Sequence, residues 1–446
     1  MTNNPKVSVV VPSLNSIQYI HECIDSILNQ TLKDIEIICV DAGSTDGTLE
    51  VLREYEKNDE RLKVIVSDKK SYGYQMNLGI KEAKGEYLGM VESDDYIVPH
   101  MYEKLYGIAK DIECEVVKAD MMDFWRDDEG KQENKIHLLN WTKKLYKKKS
   151  NCKNNIQFLT ESNIMNPSGI HSMELIKKHN IQHNETPGAS YQDTGFWFQV
   201  QVLADSIYFL NEPLYYYRQD NMSSSCNSKS KIYCICEEYD FIERFLESRA
   251  MLKNTMFGVL AYLRFGGYYW NLKRLEGENL KEFLYKIAYD FERITQNPLF
   301  NKMFFNEYQL SVLNSILQSP ISYYHVVINS PTGSAQRVQE QLAYRVGKCL
   351  VECKNPFKIL FLPYALIKAL NEYRFECKVN EIFYGMYPEK KPPKLEKYAD
   401  YCEALKIKNY LSYRLGLAAI QSPLTFIFRI PKLYLNFRKQ RELNAR

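Results

Sequence analysis

The sequence predicts an α/β fold for its first part, a mostly parallel sheet with helices on both faces, followed by a mainly α-helical second domain. Roughly the first hundred residues alternate apolar, strand-like runs with segments of helical periodicity, which is typical of βαβ units. After Ser225, amphipathic helical segments replace this alternation. At 446 residues the chain exceeds the usual size of a single core, about 250–300 residues. We therefore expect one domain over 1–225 and a helical domain over 226–446.

The individual elements follow from the hydrophobic pattern. Strands are predicted at 7–11, 36–40, 64–66 and 87–91, and helices at 19–28, 48–55 and 75–83. In the C-terminal part, helical segments are predicted around 231–246, 280–294 and 336–352. Because each early strand is joined to the next through a helix, the strands are expected to run parallel.

Composition excludes several classes of protein. A net charge of +3, with 25% charged residues, gives no general argument for nucleic-acid binding. No apolar stretch approaches the roughly 20 residues of a membrane-spanning helix. The 11 cysteines show no CxxC pair, and the N-terminus leads straight into a strand without a signal sequence. We expect a cytoplasmic protein without a nucleic-acid partner.

Three carboxylates follow the strand at 87–91 within four residues: Glu92, Asp94 and Asp95. Like charges at the end of a half-buried strand repel one another unless a cation neutralises them, and hard oxygen ligands select Mg²⁺ or Mn²⁺. A metal bound in this way commonly holds phosphates in turn. The alternative is a solvated loop.

Polar residues also follow the other predicted strands, at 12–15, 41–46 and 67–68. Ligands of parallel sheets bind at the carboxyl ends of the strands, so these segments are expected to converge on one site. Helix capping explains Asp46 and Thr48 but not Asp41, a carboxylate able to accept the imide N–H of uracil. The loop at 70–74 enters a helix, and its backbone amides are candidates to face a nucleotide or an acceptor.

The ordered set of motifs resembles the family 2 glycosyltransferases, which have the GT-A fold. The matching segments are 7–15, 41–48, 79–87 and 92–95, and the resemblance extends to about Ser225. It implies a nucleotide-sugar site lined by Pro12, Ser13, Asn15, Asp41, Ser44, Asp46, Ser71, Glu92, Ser93, Asp94, Arg218 and Ser224. It also implies that Mn²⁺ or Mg²⁺ is held by Asp94, Glu92 and Asp95. Glu92 replaces the first Asp of the family's usual DXD motif.

A second matching region, 185–198, resembles the family segment that carries the catalytic base, and it points to Asp193. An inverting transfer needs a carboxylate that removes the proton of the attacking acceptor hydroxyl. The alternative is that Asp193 only caps a helix. Phe196 and Trp197 either stack on a sugar or pack in the core.

The segment 217–225 resembles a loop that closes over the donor and carries Arg and Ser toward the diphosphate. Arg218 either offsets charge on the leaving group or forms a structural pair with a carboxylate. His171, His179 and His183 are assigned no role.

The C-terminal part contains a weak repeat, in which 343–347 returns as 412–416, and it predicts paired helical hairpins. The chain ends in a basic tail interleaved with aromatic residues. This tail either contacts the inner membrane surface peripherally or is solvated and packs on the preceding hairpin.

Together these features predict an inverting, metal-dependent glycosyltransferase. Its donor is a nucleotide-diphosphate sugar, with UDP as the expected nucleotide. Its acceptor is a hydroxyl of a glycan, free or lipid-linked, in capsule, lipo-oligosaccharide or exopolysaccharide synthesis. A nucleotidyltransferase and a non-catalytic scaffold of a polysaccharide assembly remain as alternatives. The former usually carries a Gly-rich, basic loop after its first strand, which 12–15 lacks.

Overall fold

The computed structural model describes residues 5–127, 129–221, 232–329, 333–352, 361–386, 388, 391–398 and 401–421. These residues form two compact units, one within Met1–Asn279 and Arg293–Phe304 and the other within Leu280–Glu292 and Phe305–Arg446. The first unit thus contains helices that follow Ser225, and the domain boundary predicted there stays a prediction.

A single mixed sheet forms the centre of the first unit. Its strands are β1 (Val7–Ser13), β2 (Ile35–Asp41), β3 (Leu62–Val66), β4 (Tyr87–Met90), β5 (Tyr96–Ile97), β6 (Val116–Arg126), β7 (Gln132–His137), β8 (Gly169–Ser172) and β9 (Ile207–Arg218). They lie in the order β3-β2-β1-β4-β8-β6-β9-β5, and β7 pairs with β6. The predicted α/β class is confirmed, and β1 to β4 are parallel as expected. The strand β8 runs antiparallel to both β4 and β6.

The first unit also contains helices, several of which contact the sheet. They are α1 (Ile20–Leu28), α2 (Thr48–Asn58), α3 (Tyr72–Glu82), α4 (Met101–Asp111), α5 (Gln157–Thr160), α6 (Met173–His179), α7 (Gln192–Leu203), α8 (Cys234–Glu247) and α9 (Ala250–Leu272). Every residue of β1 is buried, as expected for a parallel strand covered on both faces. Gly79 of α3 lies so close to β1 that an added Cβ would come within 2.4 Å of Val10. This close approach sets α3 against the sheet near the carboxyl ends of its strands.

The second unit is helical. After α10 (Gly277–Gln296), whose residues are divided between the units, come α11 (Glu307–Gln318), α12 (Pro320–Asn329), α13 (Ser334–Gln339), α14 (Leu342–Glu352), α15 (Leu362–Met386), α16 (Tyr401–Lys408) and α17 (Leu411–Gln421). The helix predicted over 336–352 is divided between α13 and α14. None of the described helices is long and apolar enough to cross a membrane.

The two copies of the sequence repeat lie on α14 and α17, which pack against each other through small residues. A Cβ added to Gly347 would come within 1.5 Å of the carbonyl oxygen of Ser412. A Cβ added to Gly416 would come within 1.7 Å of the carbonyl oxygen of Ala343. Ala343 and Ser412 are equivalent positions of the repeat. The glycine of each copy therefore packs against the same backbone position of the other copy. The basic tail lies outside the described residues.

Candidate active site

The carboxyl ends of β1 and β2 are joined by a network around Asp41. Its carboxylate is fully buried and accepts hydrogen bonds from the hydroxyls of Ser13, at 2.9 Å, and Ser44, at 2.6 Å. The backbone N–H groups of Gly43 and Ser44 also donate to it, at 2.9 and 2.7 Å. Asp41 therefore holds the turn after β2 in place, and its lone pairs are occupied by the protein itself.

Asn15 and Asp46 extend this network to the surface. The backbone N–H of Asn15 donates to the Ser44 hydroxyl at 2.8 Å, and the Asn15 side-chain oxygen accepts from the backbone of Thr45 at 2.9 Å. Asn15 adopts the left-handed conformation, with φ of 53°, which suits a tight turn. Asp46 accepts from the hydroxyl and the backbone N–H of Thr48 at the start of α2. These hydrogen bonds join the loops after β1 and β2 into one wall, and Pro12 lies at the end of β1 just before it.

The three carboxylates of the acidic cluster after β4 lie in different environments. Glu92 accepts a hydrogen bond from the Tyr72 hydroxyl at 2.8 Å, and Asp94 accepts one from the Asn221 amide at 2.8 Å. Both side chains are partly exposed. Asp95 is buried, and both of its oxygens accept from the protein: one from the Tyr215 hydroxyl at 2.6 Å, the other from the backbone N–H of Arg218 at 2.7 Å.

Burial and mutual repulsion act on the pKa values of this cluster. Burial, with the charges of Asp94 and Asp193, raises the pKa of Glu92 to about 8, against the opposing hydrogen bond from Tyr72. Burial beside Asp94 raises the pKa of Asp95 well above its ordinary value. The cluster is therefore short of positive charge.

Arg218 lies next to the cluster, but its guanidinium already has partners. It donates to Glu22 at 2.6 Å, to the Asp94 carbonyl oxygen at 2.6 Å and to Asp220 at 3.3 Å. Its side chain is only 4% exposed and stacks on Tyr19, with 4.5 Å from the guanidinium carbon to the ring centre. This geometry matches the structural ion pair, the second of the two interpretations that the sequence left open.

Asp193 lies in the first turn of α7, where Tyr191 holds the N-cap position, so Asp193 is not the cap itself. Asn166 donates to its backbone carbonyl at 2.7 Å. Burial raises the pKa of Asp193, while hydrogen bonds from backbone N–H groups at the helix start oppose the rise. His183 connects the start of α7 with the acidic cluster: its Nδ1 lies 3.1 Å from the Gln192 carbonyl oxygen, and its ring packs edge-on against Tyr72, which donates to Glu92.

Gln192 precedes Asp193 and closes the loop that leads into α7. Its amide donates to the Thr186 hydroxyl at 2.9 Å and to the Gly188 carbonyl at 3.1 Å. Ser71 caps α3 and donates to the Thr186 carbonyl at 2.8 Å, so its hydroxyl is used in tying this loop to α3. Phe196 and Trp197 are buried, in agreement with core packing rather than sugar stacking.

The structure thus brings most of the predicted site residues to one edge of the sheet. A 2.7 Å hydrogen bond between the hydroxyls of Ser16 and Ser93 connects the β1–β2 wall with the acidic cluster. Ser224 lies outside the described residues. Among the described residues, no group of three or more His, Cys, Asp or Glu side chains is arranged to hold a metal ion.

The sequence did not indicate the residues that support the acidic cluster from β9 and α1. Tyr215 is 120 residues distant from Asp95 in the chain, and Glu22, which pairs with both Arg126 and Arg218, lies on α1. Tyr72 lies in the predicted loop at 70–74, for which the sequence suggested a role of the backbone amides. Its hydroxyl instead donates to Glu92, and the place of this tyrosine in a predicted loop after a neighbouring strand was the signal that could have indicated it.

Two family models match parts of this chain. Residues 8–171 match the family model described as glycosyl transferase family 2, and residues 267–443 match a domain of unknown function, DUF8374. Over 226 residues, 48% of this chain and 70% of the relative, the chain is 31% identical to glycosyltransferase GlyG of Streptococcus pneumoniae. It is 42% identical over 113 residues to the uncharacterized glycosyltransferase EpsJ of Bacillus subtilis; these residues make up 25% of this chain and a third of EpsJ.

A solved structure of S. aureus TarS in complex with UDP-GlcNAc resembles the fold, with a TM-score of 0.51 and 21% identity. The match covers 72% of this chain and 90% of that chain. At this identity the likeness is one of fold.

Proposed function

The chain belongs to the family 2 glycosyltransferases, of surface-polysaccharide type, and we propose that it transfers a sugar from a nucleotide-diphosphate sugar to a hydroxyl of a glycan acceptor with inversion at the anomeric carbon. One observation carries the proposal. A partly exposed carboxylate, Asp193, lies beside an acidic cluster at the carboxyl end of β4, close enough for its charge to act on Glu92. A carboxylate that can act as base, next to a cluster that can hold the diphosphate through a cation, suits displacement of the diphosphate at the anomeric carbon of a sugar.

We assign the donor to the wall built by β1, β2 and the acidic cluster. Asn15 and Asp46 lie exposed beside the turn held by Asp41, and the hydrogen bond between Ser16 and Ser93 joins this wall to the acidic cluster. Because the Asp41 carboxylate is occupied by four protein donors, we assign it to holding the base-binding turn in shape. UDP is the proposed nucleotide, by likeness to the fold of TarS, which has been solved with UDP-GlcNAc.

A divalent cation fits part of the acidic cluster. Glu92 and Asp94 each use one carboxylate oxygen for a hydrogen bond from the protein and keep the other without a donor among the described residues. Such oxygens suit Mg²⁺ or Mn²⁺. Asp95, with both oxygens engaged, fits the role of a positioning residue better than that of a ligand. When bound, the cation would neutralise the diphosphate of the leaving group.

The protein's own groups supply the remaining steps. Asp193 removes the proton from the acceptor hydroxyl as the oxygen attacks the anomeric carbon, and the bond to the nucleotide diphosphate breaks on the opposite side. Arg218 holds the acidic cluster in two ways: its guanidinium donates to the backbone carbonyl of Asp94, and its backbone N–H donates to the Asp95 carboxylate. Glu22 keeps Arg218 in this position.

For the acceptor we propose a glycan of a bacterial surface polysaccharide, free or carried on a lipid. Peripheral contact of the basic tail with the inner membrane surface belongs to this proposal. Binding of the intact chain to anionic liposomes, and loss of that binding when 422–446 are removed, would support it. Equal binding by both forms would contradict it.

A donor screen tests the proposed activity. The protein is incubated with Mn²⁺ and each of a set of UDP-, GDP- and dTDP-sugars, and both Tm and release of the nucleotide diphosphate are measured. One donor class should raise Tm, because a ligand that binds only the folded state stabilises it. The same donor should release nucleotide diphosphate. Failure of every donor to do either would contradict the proposal and favour a non-catalytic scaffold.

A further inference from the structure

Lys118 is a buried lysine in the middle of β6 whose amino group has no hydrogen-bond partner among the described residues. The side chain is fully buried and passes over Gly169 of β8, where an added Cβ would come within 2.7 Å of Lys118 Cγ. Lysine is rarely buried without a partner, because removing its charge from water costs several kcal/mol. A position that tolerates this cost needs an explanation.

The surroundings of Lys118 lie between the sheet and the start of α7. Lys118 pairs with Gly169, and His171 is the next residue of β8 on the same face. The ring of His171 packs edge-on against Phe196 of α7, with ring centres 5.6 Å apart. Asn166, just before β8, donates to the backbone carbonyl of Asp193. The lysine thus lies on the face of the sheet that α7 covers through the contact of Phe196 with His171.

The charges around Asp193 make Lys118 distinctive. Glu92 after β4 and Glu238 on α8 both interact with Asp193 as like charges, and Tyr72 on α3 and Tyr239 on α8 also face it. Burial lowers the pKa of His171 to about 3 and that of His183 to about 4, so both rings are neutral near pH 7. Among these neighbours in the described part of the chain, Lys118 supplies the positive charge.

We propose that Lys118 is a positioning residue of the transfer reaction, whose buried amino group keeps the Asp193 carboxylate ionised and therefore able to act as base. This inference rests on the role proposed for Asp193. It stands on three observations: the Lys118 amine has no hydrogen-bond partner among the described residues, Lys118 lies on the sheet face that α7 covers, and Glu92 and Glu238 both lie close enough to Asp193 to interact with it as like charges.

The titration of Lys118 fits this task. Burial lowers its pKa to about 7, against the charge of Asp193, which favours the protonated form. Below pH 7 the amine is therefore mostly charged. Removing the charge should raise the pKa of Asp193 further, because an opposite charge nearby favours the ionised carboxylate.

The test compares kcat/KM against pH for the full-length wild type, Lys118→Met and Lys118→Arg, using the donor found in the screen. The acidic limb of the Lys118→Met profile should move to higher pH by about one unit. The Lys118→Arg profile should stay near that of the wild type, because the guanidinium keeps the charge. Tm of Lys118→Met is measured in parallel, and a cooperative unfolding transition shows that the variant is folded when its pH profile is compared with that of the wild type.

Arg264→Met serves as the matched control, because Arg264 is another buried cation but is paired with Glu243 at 2.9 Å on other elements. It should lower Tm and leave the acidic limb in place. An unmoved limb in Lys118→Met, with transfer still measurable, would overturn the inference but not the proposed function. Absence of transfer in the wild type with every donor would instead refute the proposed function itself.

Discussion

At the scale of single residues, Tyr215 connects two parts of the acidic cluster. Its hydroxyl accepts from the backbone N–H of Glu92 at 3.0 Å and donates to Asp95 at 2.6 Å. The tyrosine is fully buried. One side chain on β9 therefore fixes both the backbone and a carboxylate of the loop after β4.

Replacing Tyr215 by Phe should leave two buried polar groups without their partner and cost about 1–3 kcal/mol of the free energy of unfolding. Because the loop would also lose its support, KM for the donor should rise. Tyr87→Phe is the matched control, since its hydroxyl donates to the Cys114 carbonyl at 3.0 Å away from the cluster. Steady-state kinetics and thermal unfolding of both variants check this. A donor KM unchanged by Tyr215→Phe would argue against this role.

Glu238 shows how a buried carboxylate links the stability of the first unit to pH. It accepts hydrogen bonds from the backbone N–H of Gly195, at 2.7 Å, and from the Asn184 amide, at 3.0 Å. Burial nevertheless raises its pKa to about 8. Because the folded state binds this proton more tightly than the unfolded state, the group stabilises the fold below its unfolded pKa and loses that contribution as pH rises toward 8.

Glu238→Gln, which mimics the protonated form, should therefore show a smaller fall in Tm between pH 5 and pH 8 than the wild type. The difference should correspond to a change in the free energy of unfolding on the order of 1 kcal/mol or more. Calorimetry at several pH values measures it. An equal fall in both proteins would show that Glu238 does not govern this dependence.

At the scale of secondary structure elements, the packing of α14 on α17 depends on two glycines. Gly347→Ala and Gly416→Ala each place a Cβ against a backbone carbonyl of the partner helix. We expect each to lower the free energy of unfolding of the second unit by about 1–3 kcal/mol, because the helices must separate.

Gly385→Ala, on α15, is the control, because nothing lies within 4 Å of the added Cβ. It should stabilise the helix by up to about 1 kcal/mol. Urea denaturation followed by circular dichroism distinguishes the two effects. Equal behaviour of all three variants would contradict the close packing of the repeats.

The order of elements explains what the sequence predicted well. The parallel strands β1 to β4 alternate with amphipathic helices whose apolar residues recur every three or four positions, as in Ile20, Cys23, Ile24 and Ile27 of α1. These patterns are local, so the sequence alone predicted the elements. In contrast, β6, β8 and β9 pair across long loops, and a buried Lys118 interrupts the apolar pattern of β6. Such pairing is nonlocal, so hydrophobic periodicity could not reveal it.

In the candidate site, too, local features could be predicted from the sequence and nonlocal contacts could not. Asp41, Glu92 and Asp94 follow strands, so their common location could be predicted from the βαβ pattern. The partners that hold the loop after β4 could not, because Tyr215 and Arg218 reach Glu92 and Asp94 from β9, more than a hundred residues later. For this reason the sequence left two interpretations of Arg218 open, and only the contacts of its guanidinium with Glu22 favoured one.

At the scale of the whole molecule, the residues that carry the proposed chemistry all belong to the first unit. The second unit contributes a helical repeat whose region matches a domain of unknown function. The chain spans a third of EpsJ and 70% of GlyG, so the acceptor is not given by its relatives and must be found by experiment.

The most direct test of the proposed mechanism is the effect of Asp193→Asn on sugar transfer, measured together with donor binding. Transfer should fall by about 10²- to 10⁴-fold, the usual contribution of a general base, while the donor still raises Tm as in the wild type. Glu174→Gln, a carboxylate in the first turn of α6, is the control and should keep full activity. Transfer by Asp193→Asn at the wild-type rate would contradict the assignment of Asp193 as the base.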